Sequence, residues 1–340
     1  MDGKTKIYIS MFILVTAVVL VQLATFSIMQ QRLLDRHTDD VAGQQLINAR
    51  RIADSIESDI LNTINSLKLI SNIPEIRSGS TEDCNEKIDE IISSMDLKIG
   101  NLVRYDENGI ITCAQVKSTI GADVKVFEDT KRIIENPYES KNISISTISY
   151  STYAERYRIA IRILLFDDEG FEGVLSGAIY ADEIENKHLK NVTIAKQGYV
   201  ILMDDNGDTI YHPRQEFLGM NFWSPEFQAI IKNDINLNAI AKNLAEGKSG
   251  IRRYFFEGKE KIAAYAPANI LEGRSWGVVV TVPIEDIEEM MDTSKNGFGI
   301  FSVLYLFSAL SSIIAILIFA FFAARLIDKR EIFKGKVKRE

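Results

Sequence analysis

Two long stretches without a charged residue constrain this 340-residue chain more than any other feature of its sequence. They cover residues 7–31 and 296–324, and each is longer than the roughly 20 apolar residues that cross a bilayer as a helix. The first stretch also exceeds the apolar core of a signal peptide, about 7–15 residues, and it contains no small-x-small cleavage site. The sequence therefore predicts an uncleaved transmembrane helix at 7–31 and a second transmembrane helix at 296–324.

Basic residues at both ends of the chain predict its orientation in the membrane. Lys4 and Lys6 precede the first stretch, and the tail at 325–340 contains seven basic residues against three acidic ones. Because positively charged flanks are retained in the cytoplasm, the two termini, 1–6 and 325–340, are expected there. Residues 32–295 are then expected outside the plasma membrane.

The segment between the two stretches, 32–295, is acidic, with 30 basic and 43 acidic residues. Nucleic acids and anionic lipid surfaces attract basic proteins, so neither is an expected partner. Cys84 and Cys113 are the only cysteines of the chain. Disulfides persist outside the cytoplasm, so the sequence leaves open whether these two thiols are paired or free.

Helical periodicity is clearest between residues 32 and 72, where apolar residues recur at three- and four-residue steps. The recurring residues are Ile52, Ile56, Ile60, Ile64, Leu67 and Ile70. No proline interrupts this pattern before Pro74, so it predicts one long helix with an apolar stripe, a stalk beyond the membrane. A shorter helix is expected at 81–96.

After residue 100 the apolar residues alternate with polar ones, which is typical of strands in a half-buried sheet. Strand-forming segments lie at 101–116, 144–184, 198–213, 250–268 and 276–283. Two of these segments contain an Asn-Gly pair at the same place, Asn108–Gly109 and Asn206–Gly207, and a third is expected to turn at Glu257–Gly258. The recurrence of strand, Asn-Gly pair and strand predicts a small domain of helices and strands that occurs twice.

The acidic residues around the second Asn-Gly pair, at 204–208, permit two interpretations. An EF-hand calcium loop with Gly207 at its sixth position would begin at Leu202, which cannot ligate a metal. An Asn-Gly pair between alternating apolar residues instead favours a type I′ turn, in which both central residues have positive φ. We therefore predict a hairpin turn with solvated acidic side chains and no metal site.

Motifs of catalytic sites are incomplete in this sequence. The tripeptide Gly-Lys-Ser at 247–249 resembles the end of a phosphate-binding loop, but the glycine required at position 242 is Lys242. The histidines His37, His188 and His212 are far apart in sequence and lack the spacing of zinc ligands. We therefore predict that the chain is not an enzyme and that it has no catalytic residues, cofactor or metal.

Two segments in the second half of the chain contain several short motifs in a fixed order. The segment 198–222 contains a strand-turn-strand unit that ends in His-Pro and continues into Gly-x-Asn. The segment 246–283 contains Gly-x-Ser-Gly, Ala-Tyr-Ala-Pro and Trp-Gly-Val-Val in that order. Both segments resemble the membrane-proximal unit of double Cache sensor domains, the extracytoplasmic sensing regions of bacterial and archaeal chemoreceptors and sensor histidine kinases. The segments 102–112 and 173–184 resemble the membrane-distal unit of the same family.

The resemblance implies an α+β fold in which a long N-terminal helix precedes two tandem PAS-like modules, each built on an antiparallel sheet. The expected order between the transmembrane helices is a stalk helix at 32–72, a membrane-distal module at 73–186 and a membrane-proximal module at 187–295. The resemblance also implies a homodimer, a small ligand in the distal module and a cytoplasmic kinase or chemotaxis-type output partner. The ligand is expected to be an organic acid, an amine or an amino-acid-like molecule.

Five residues of the distal module are candidate ligand-binding residues: Tyr150, Tyr153, Arg158, Arg162 and Asp182. Asp182 matches an aspartate that amino-acid-binding members of the family carry after their last strand, although their Arg-x-Trp pair is absent here. Arg158 and Arg162 share one face of a strand by its two-residue period. Together the five residues offer aromatic surface and both charges to a small polar or carboxylated ligand. Alternatively, both arginines face water on an amphipathic strand.

We therefore expect a transmembrane signal-transduction receptor that senses a small extracellular solute. The alternative is a membrane-anchored scaffold whose outer modules bind another protein rather than a solute.

Overall fold

The computed structural model describes residues 3–94, 99–139, 141–190, 192, 194–293, 303, 305–322 and 325. The predicted basic tail therefore lies outside the described residues except for Arg325, as do the last two positions of the helix predicted at 81–96. The chain divides into two compact units, Met1–Val41 with Ile287–Glu340, and Ala42–Asp286.

The described residues form the mixture of helices and strands that the sequence predicts. The helices are α1 (Gly3–Ile70), α2 (Pro74–Ser78), α3 (Thr81–Ser94), α4 (Glu128–Glu135), α5 (Ala181–Ile184), α6 (Pro225–Ile230), α7 (Ile235–Ala245), α8 (Ile284–Thr293) and α9 (Tyr305–Phe322). The strands are β1 (Gly100–Asp106), β2 (Ile111–Ala114), β3 (Ile143–Ile145), β4 (Ser149–Ser151), β5 (Arg156–Phe166), β6 (Phe171–Tyr180), β7 (Tyr199–Met203), β8 (Thr209–Tyr211), β9 (Gly250–Phe256), β10 (Lys259–Leu271) and β11 (Arg274–Pro283).

Helices α1 and α9 are long and apolar enough to be candidate membrane spans. They contact one another through polar side chains. The Thr25 and Tyr305 hydroxyls are 3.0 Å apart, and Gln22 Nε2 donates to Ser312 Oγ over 3.4 Å. Such hydrogen bonds between apolar helices are typical of transmembrane helix pairs.

The apolar stripe of the predicted stalk is buried along α1. All six of its recurring residues, Ile52, Ile56, Ile60, Ile64, Leu67 and Ile70, are at most 5% exposed. The helix ends at Ile70, where Ser71 Oγ and Asn72 Nδ2 both donate to the carbonyl of Lys68. These bonds satisfy one of the carbonyls that every helix end leaves unpaired, and Pro74 then starts α2.

The two antiparallel sheets have the same strand order, so the repeat predicted from the Asn-Gly pairs is a repeat of structure. The first sheet is ordered β2-β1-β6-β5-β3, with β4 also paired to β5, and the second is ordered β8-β7-β11-β10-β9. The α+β fold class with two tandem sheets is confirmed.

The predicted type I′ geometry of the two Asn-Gly turns is wrong. Gly109 and Gly207 have φ values of 81° and 89°, but neither Asn108 nor Asn206 has a positive φ. Each glycine donates its N–H to the carbonyl three residues earlier, over 3.0 and 3.1 Å. This pattern fits a type I turn followed by a left-handed glycine, the usual three-residue hairpin loop.

An aspartate side chain explains the change of turn type. Asp106 Oδ1 accepts hydrogen bonds from the backbone N–H groups two and four residues later, over 3.0 and 2.8 Å. Asp204 Oδ1 makes the same two bonds over 2.9 and 2.8 Å. Aspartate before a turn stabilises it in this way. Glu257 and Gly258 form a tighter turn with φ values of 55° and 78°, as I′ geometry requires.

The acidic residues of the second turn are not solvated as predicted, because they hold buried structure together. Asp204 is only 5% exposed. Asp205 accepts two hydrogen bonds from Arg274, Nε–Oδ2 at 2.8 Å and Nη2–Oδ1 at 2.6 Å. Arg274 Nη1 also donates to the carbonyl of Ile145 over 2.6 Å. The guanidinium therefore connects the second sheet to strand β3 of the first.

Cys84 and Cys113 form a disulfide that connects α3 to β2, so the pairing that the sequence left open is resolved. Their Cα atoms are 6.1 Å apart, within the range that a disulfide spans. The two cysteines are 29 residues apart in sequence. Closing a loop of that length contributes about 3–4 kcal/mol to the free energy of unfolding in the chain-entropy model.

Candidate ligand-binding site

A cavity of about 390 Å³ lies on one face of the first sheet. The alternation of side chains between the two faces of β5 explains where the cavity lies. Arg158, Ala160 and Arg162 line the cavity, whereas the residues between them are buried on the opposite face. Helix α1 covers that opposite face, since a Cβ atom added at Gly177 of β6 would lie 3.2 Å from the side chain of Leu67.

Arg162 forms the buried end of the cavity and is only 3% exposed. Its Nη2 donates to Asp129 Oδ2 over 2.9 Å and to Thr130 Oγ1 over 2.8 Å, both at the start of α4. Its Nη1 is buried without a hydrogen-bond partner among the described residues. One side of this guanidinium is therefore held by the protein, and the Nη1 of the other side has no partner among the described residues.

Arg158 lies on the same wall and is partly buried. Its guanidinium carbon is 4.8 Å from the ring centre of Phe127, and no described residue forms a hydrogen bond or ion pair with it. Burial lowers the pKa of Arg158, and the positive charge of Arg162 lowers it further. The two cationic groups are therefore close enough to repel each other inside the protein.

Tyr105 and Asn101 add two more buried polar atoms to the lining. The Tyr105 hydroxyl and Asn101 Oδ1 have no hydrogen-bond partner among the described residues. Burial raises the pKa of Tyr105 to about 12, so its hydroxyl stays protonated at neutral pH and can donate. Buried polar groups are nearly always paired, and leaving one unpaired costs about 1–3 kcal/mol.

The structure brings three of the five predicted site residues, Tyr153, Arg158 and Arg162, to this cavity. Tyr150 and Asp182 do not line it. The ring of Tyr150 packs edge-on against Tyr157 at 5.3 Å between centres, and the side chain is half exposed. The alternative, in which both arginines face water, does not hold for the buried Arg162.

Asp182 is engaged beside the cavity, at the start of α5. Arg156 donates to it from Nε over 3.1 Å to Oδ1 and from Nη2 over 2.7 Å to Oδ2. The Arg156 guanidinium also covers the ring of Tyr180 at 3.9 Å. Asp182 therefore neutralises an arginine outside the cavity lining.

Sequence reasoning did not identify Tyr105, Asn101 or Phe127 as lining residues. Tyr105 lies two residues after Val103, on the same face of a strand. This alternation is the same whether the face packs into a filled core or lines a cavity. Asn101 has a positive φ of 51°, which asparagine tolerates better than most residues. An asparagine at the start of a strand was the only feature of the sequence that could have indicated a lining residue there.

The equivalent face of the second sheet is almost filled. Its cavity measures about 60 Å³, room for about two waters at roughly 30 Å³ each. Aromatic rings occupy the space, and His212 lies 5.4 Å from the Tyr199 ring centre and 4.7 Å from that of Phe217. Burial lowers the pKa of His212 to about 4. The first sheet is therefore the better candidate for a solute site.

No group of three or more histidine, cysteine, aspartate or glutamate side chains suited to a metal ion occurs within the described ranges. The prediction that the chain has no metal and no catalytic residues stays a prediction.

Comparisons with known proteins place this architecture in a family. The ligand-binding domain of the Pseudomonas fluorescens chemoreceptor CtaA, in complex with L-isoleucine, is 14% identical with a TM-score of 0.57, covering 75% of this chain and 98% of that chain. The ligand-binding domain of Mlp24 with asparagine is 16% identical with a TM-score of 0.54, covering 76% and 99%. The ligand-binding domain of the Pseudomonas aeruginosa chemoreceptor PctB with L-Gln is 14% identical with a TM-score of 0.53, covering 74% and 97%.

At these identities the likeness concerns the fold. No curated protein matches the chain. The family model described as Cache domain matches residues 31–291, which is more than half of the chain. The protein therefore belongs to the Cache domain family of ligand-binding sensor domains.

Proposed function

We propose that the chain is a transmembrane receptor that senses a small extracellular solute in the cavity of the first sheet. The observation that carries this proposal is the set of unpartnered buried polar atoms in that cavity. The three residues that carry these atoms, Arg162 (Nη1), Tyr105 (hydroxyl) and Asn101 (Oδ1), all line the same cavity of about 390 Å³. A polar solute would pair these atoms and remove the cost of leaving them unsatisfied.

The charges of the lining favour a solute with a carboxylate. Arg158 forms no ion pair or hydrogen bond with a described residue, and burying a charge is costly unless it is paired and hydrogen-bonded. A guanidinium binds a carboxylate through two parallel hydrogen bonds. CtaA, Mlp24 and PctB were each solved with an amino acid, which supports a carboxylated solute for this chain.

The order of the chain supports signalling across a membrane. Candidate spans lie on both sides of the Cache domain, and β11 continues directly into α8 (Ile284–Thr293). We retain the division into a distal module at 73–186 and a proximal module at 187–295, with both termini in the cytoplasm. Homodimerisation and a kinase or chemotaxis-type output partner belong to the same proposal.

Thermal unfolding of the full chain in lipid nanodiscs tests solute sensing. A panel of organic acids, amines and amino acids is added, and a compound at 100 times its Kd should stabilise the chain by about 2.7 kcal/mol. Arg158→Gln should abolish the shift. Arg253→Gln, which removes an exposed arginine of the second sheet, should leave it intact. If no compound raises the melting temperature, solute sensing is contradicted and the scaffold alternative gains support.

A further inference from the structure

We infer that the solute is a small organic acid that carries a hydroxyl group and no ammonium group, rather than a zwitterionic α-amino acid. This inference rests on the proposed function, because it names the class of solute for the same cavity. It depends on which charges of the lining are buried, which neighbouring carboxylates are already engaged, and which polar atoms remain unpaired.

The buried charges of the lining are both positive. Arg162 is 3% exposed, and Arg158 is partly buried beside the Phe127 ring. Among the described residues, Asp123 is the only carboxylate of the lining. Its side chain is exposed, and its Oδ1 accepts a hydrogen bond from the backbone N–H of Lys125. A ligand ammonium would therefore enter a space where both arginines repel it.

The carboxylates that flank the cavity are engaged elsewhere. Asp129 pairs with Arg162 through Oδ2 and accepts the backbone N–H of Thr130 through Oδ1, over 2.8 Å. Asp182 forms a bidentate pair with Arg156. Each of these carboxylates already accepts charge-assisted hydrogen bonds from an arginine, so an ammonium would meet a carboxylate whose charge is already neutralised.

The unpaired atoms match a carboxylate and a hydroxyl. Arg162 Nη1, Arg158 and the Tyr105 hydroxyl are donors that a carboxylate can accept from. Asn101 Oδ1 is an acceptor, and a ligand hydroxyl can donate to it without bringing a second positive charge. Amide oxygen and hydroxyl therefore form a neutral contact at the one place where the lining needs a donor.

Pairs of ligands that differ only in carrying a hydroxyl or an ammonium group test the inference. The full chain in nanodiscs is titrated calorimetrically with L-malate against L-aspartate, L-lactate against L-alanine, and L-glycerate against L-serine. In the pair that binds most tightly, the hydroxy acid should have a Kd lower by about tenfold or more, equal to about 1.4 kcal/mol. An amino acid that binds as tightly as its hydroxy partner overturns the inference and leaves the proposed function standing. If none of the six binds, the carboxylated solute of the proposed function is contradicted as well.

Substitutions of lining residues test whether the cavity is the site that binds the preferred hydroxy acid. Arg158→Gln should weaken the preferred acid by about tenfold or more. Arg253→Gln, which removes an exposed arginine of the second sheet, is the control and should leave Kd unchanged.

Asn101→Asp places a carboxylate of nearly equal shape at the acceptor position. It should shift the ratio of the two Kd values towards the amino acid by about tenfold, because an ammonium then gains a counterion. Thermal unfolding of each variant identifies loss of folding. A correctly folded Asn101→Asp chain with an unchanged ratio would overturn the proposed hydroxyl contact.

Discussion

Asp106 and Asp204 make the same two backbone hydrogen bonds in equivalent turns, but only Asp204 is buried. It is 5% exposed, and its Oδ2 has no hydrogen-bond partner among the described residues. Burial raises the pKa of Asp204 to about 6, and the nearby charges of Asp208 and Asp205 contribute in the same direction. The folded chain therefore binds a proton at this carboxyl more tightly than the unfolded chain does.

This raised pKa predicts a pH dependence of stability with a definite sign. Protonation favours the folded state, so the contribution of Asp204 is fully present below its unfolded pKa of 3.8 and is lost as pH rises through about 6. A difference of about two pKa units corresponds to about 3 kcal/mol. The free energy of unfolding of the wild type, relative to Asp204→Asn, should fall by up to this amount between about pH 4 and pH 7.

The comparison must be made against the variant because His212 acts in the opposite direction. Its pKa is lowered to about 4 in the folded chain, so its contribution is lost as pH falls from about 6.5 to about 4. Subtracting the two unfolding curves cancels this effect. Asp106→Asn is the control at the equivalent turn. A difference curve for Asp204→Asn that is flat or rises with pH would contradict the assignment.

The Arg274–Asp205 contact connects two elements that are remote in sequence, the start of β11 and the second hairpin turn. Its side chains are only 23% and 25% exposed. The same guanidinium reaches the carbonyl of Ile145, and β3 pairs with β5 so that Ser144 lies opposite Arg162. The contact therefore joins the second sheet to the strand beside the proposed ligand site.

A double-mutant cycle with Arg274→Gln and Asp205→Asn measures how strongly the two side chains of this pair are coupled. A bidentate, partly buried pair should give a coupling energy of about 1 kcal/mol or more in thermal or denaturant unfolding. The control cycle uses Arg253 and Glu260, a more exposed pair at 3.8 Å, whose coupling should be within about 0.2–1 kcal/mol. Equal coupling in the two cycles would show that the Arg274–Asp205 pair is no stronger than an exposed ion pair.

Elements were easier to predict than the contacts between them. The stripe of α1 and the alternation of the strands are local patterns, so the sequence predicts them. The turn type depends on whether an aspartate side chain reaches its own backbone, and the Asn-Gly pair alone does not report this. The partners of Asp182 and Asp205 are 26 and 69 residues distant in sequence, and no periodicity encodes such pairings.

The candidate site was predicted only in part for a related reason. Arg158 and Arg162 share a strand face, which the two-residue period predicts. Tyr105 and Asn101 belong to β1, which reaches the cavity only because β6 lies between β1 and β5 in the sheet. That order arises from the fold of the whole module and is not visible in any one segment.

At the scale of the whole molecule, the two sheets have the same strand order but differ in their interiors. The first retains a cavity of about 390 Å³ with unpaired polar atoms, and the second is packed with aromatic rings around about 60 Å³. We therefore propose the first sheet, and not the second, as the sheet that binds the solute.

The most direct test of this account is the rate at which a membrane-impermeant maleimide labels Val126→Cys in intact cells. Val126 lines the cavity and is 77% exposed. Tyr138→Cys, 75% exposed and outside the lining, is the control. The account predicts that both variants react without permeabilisation, and that L-malate or L-lactate slows only Val126→Cys. Labelling that requires permeabilised cells, or a Val126→Cys rate that neither acid changes, would contradict it.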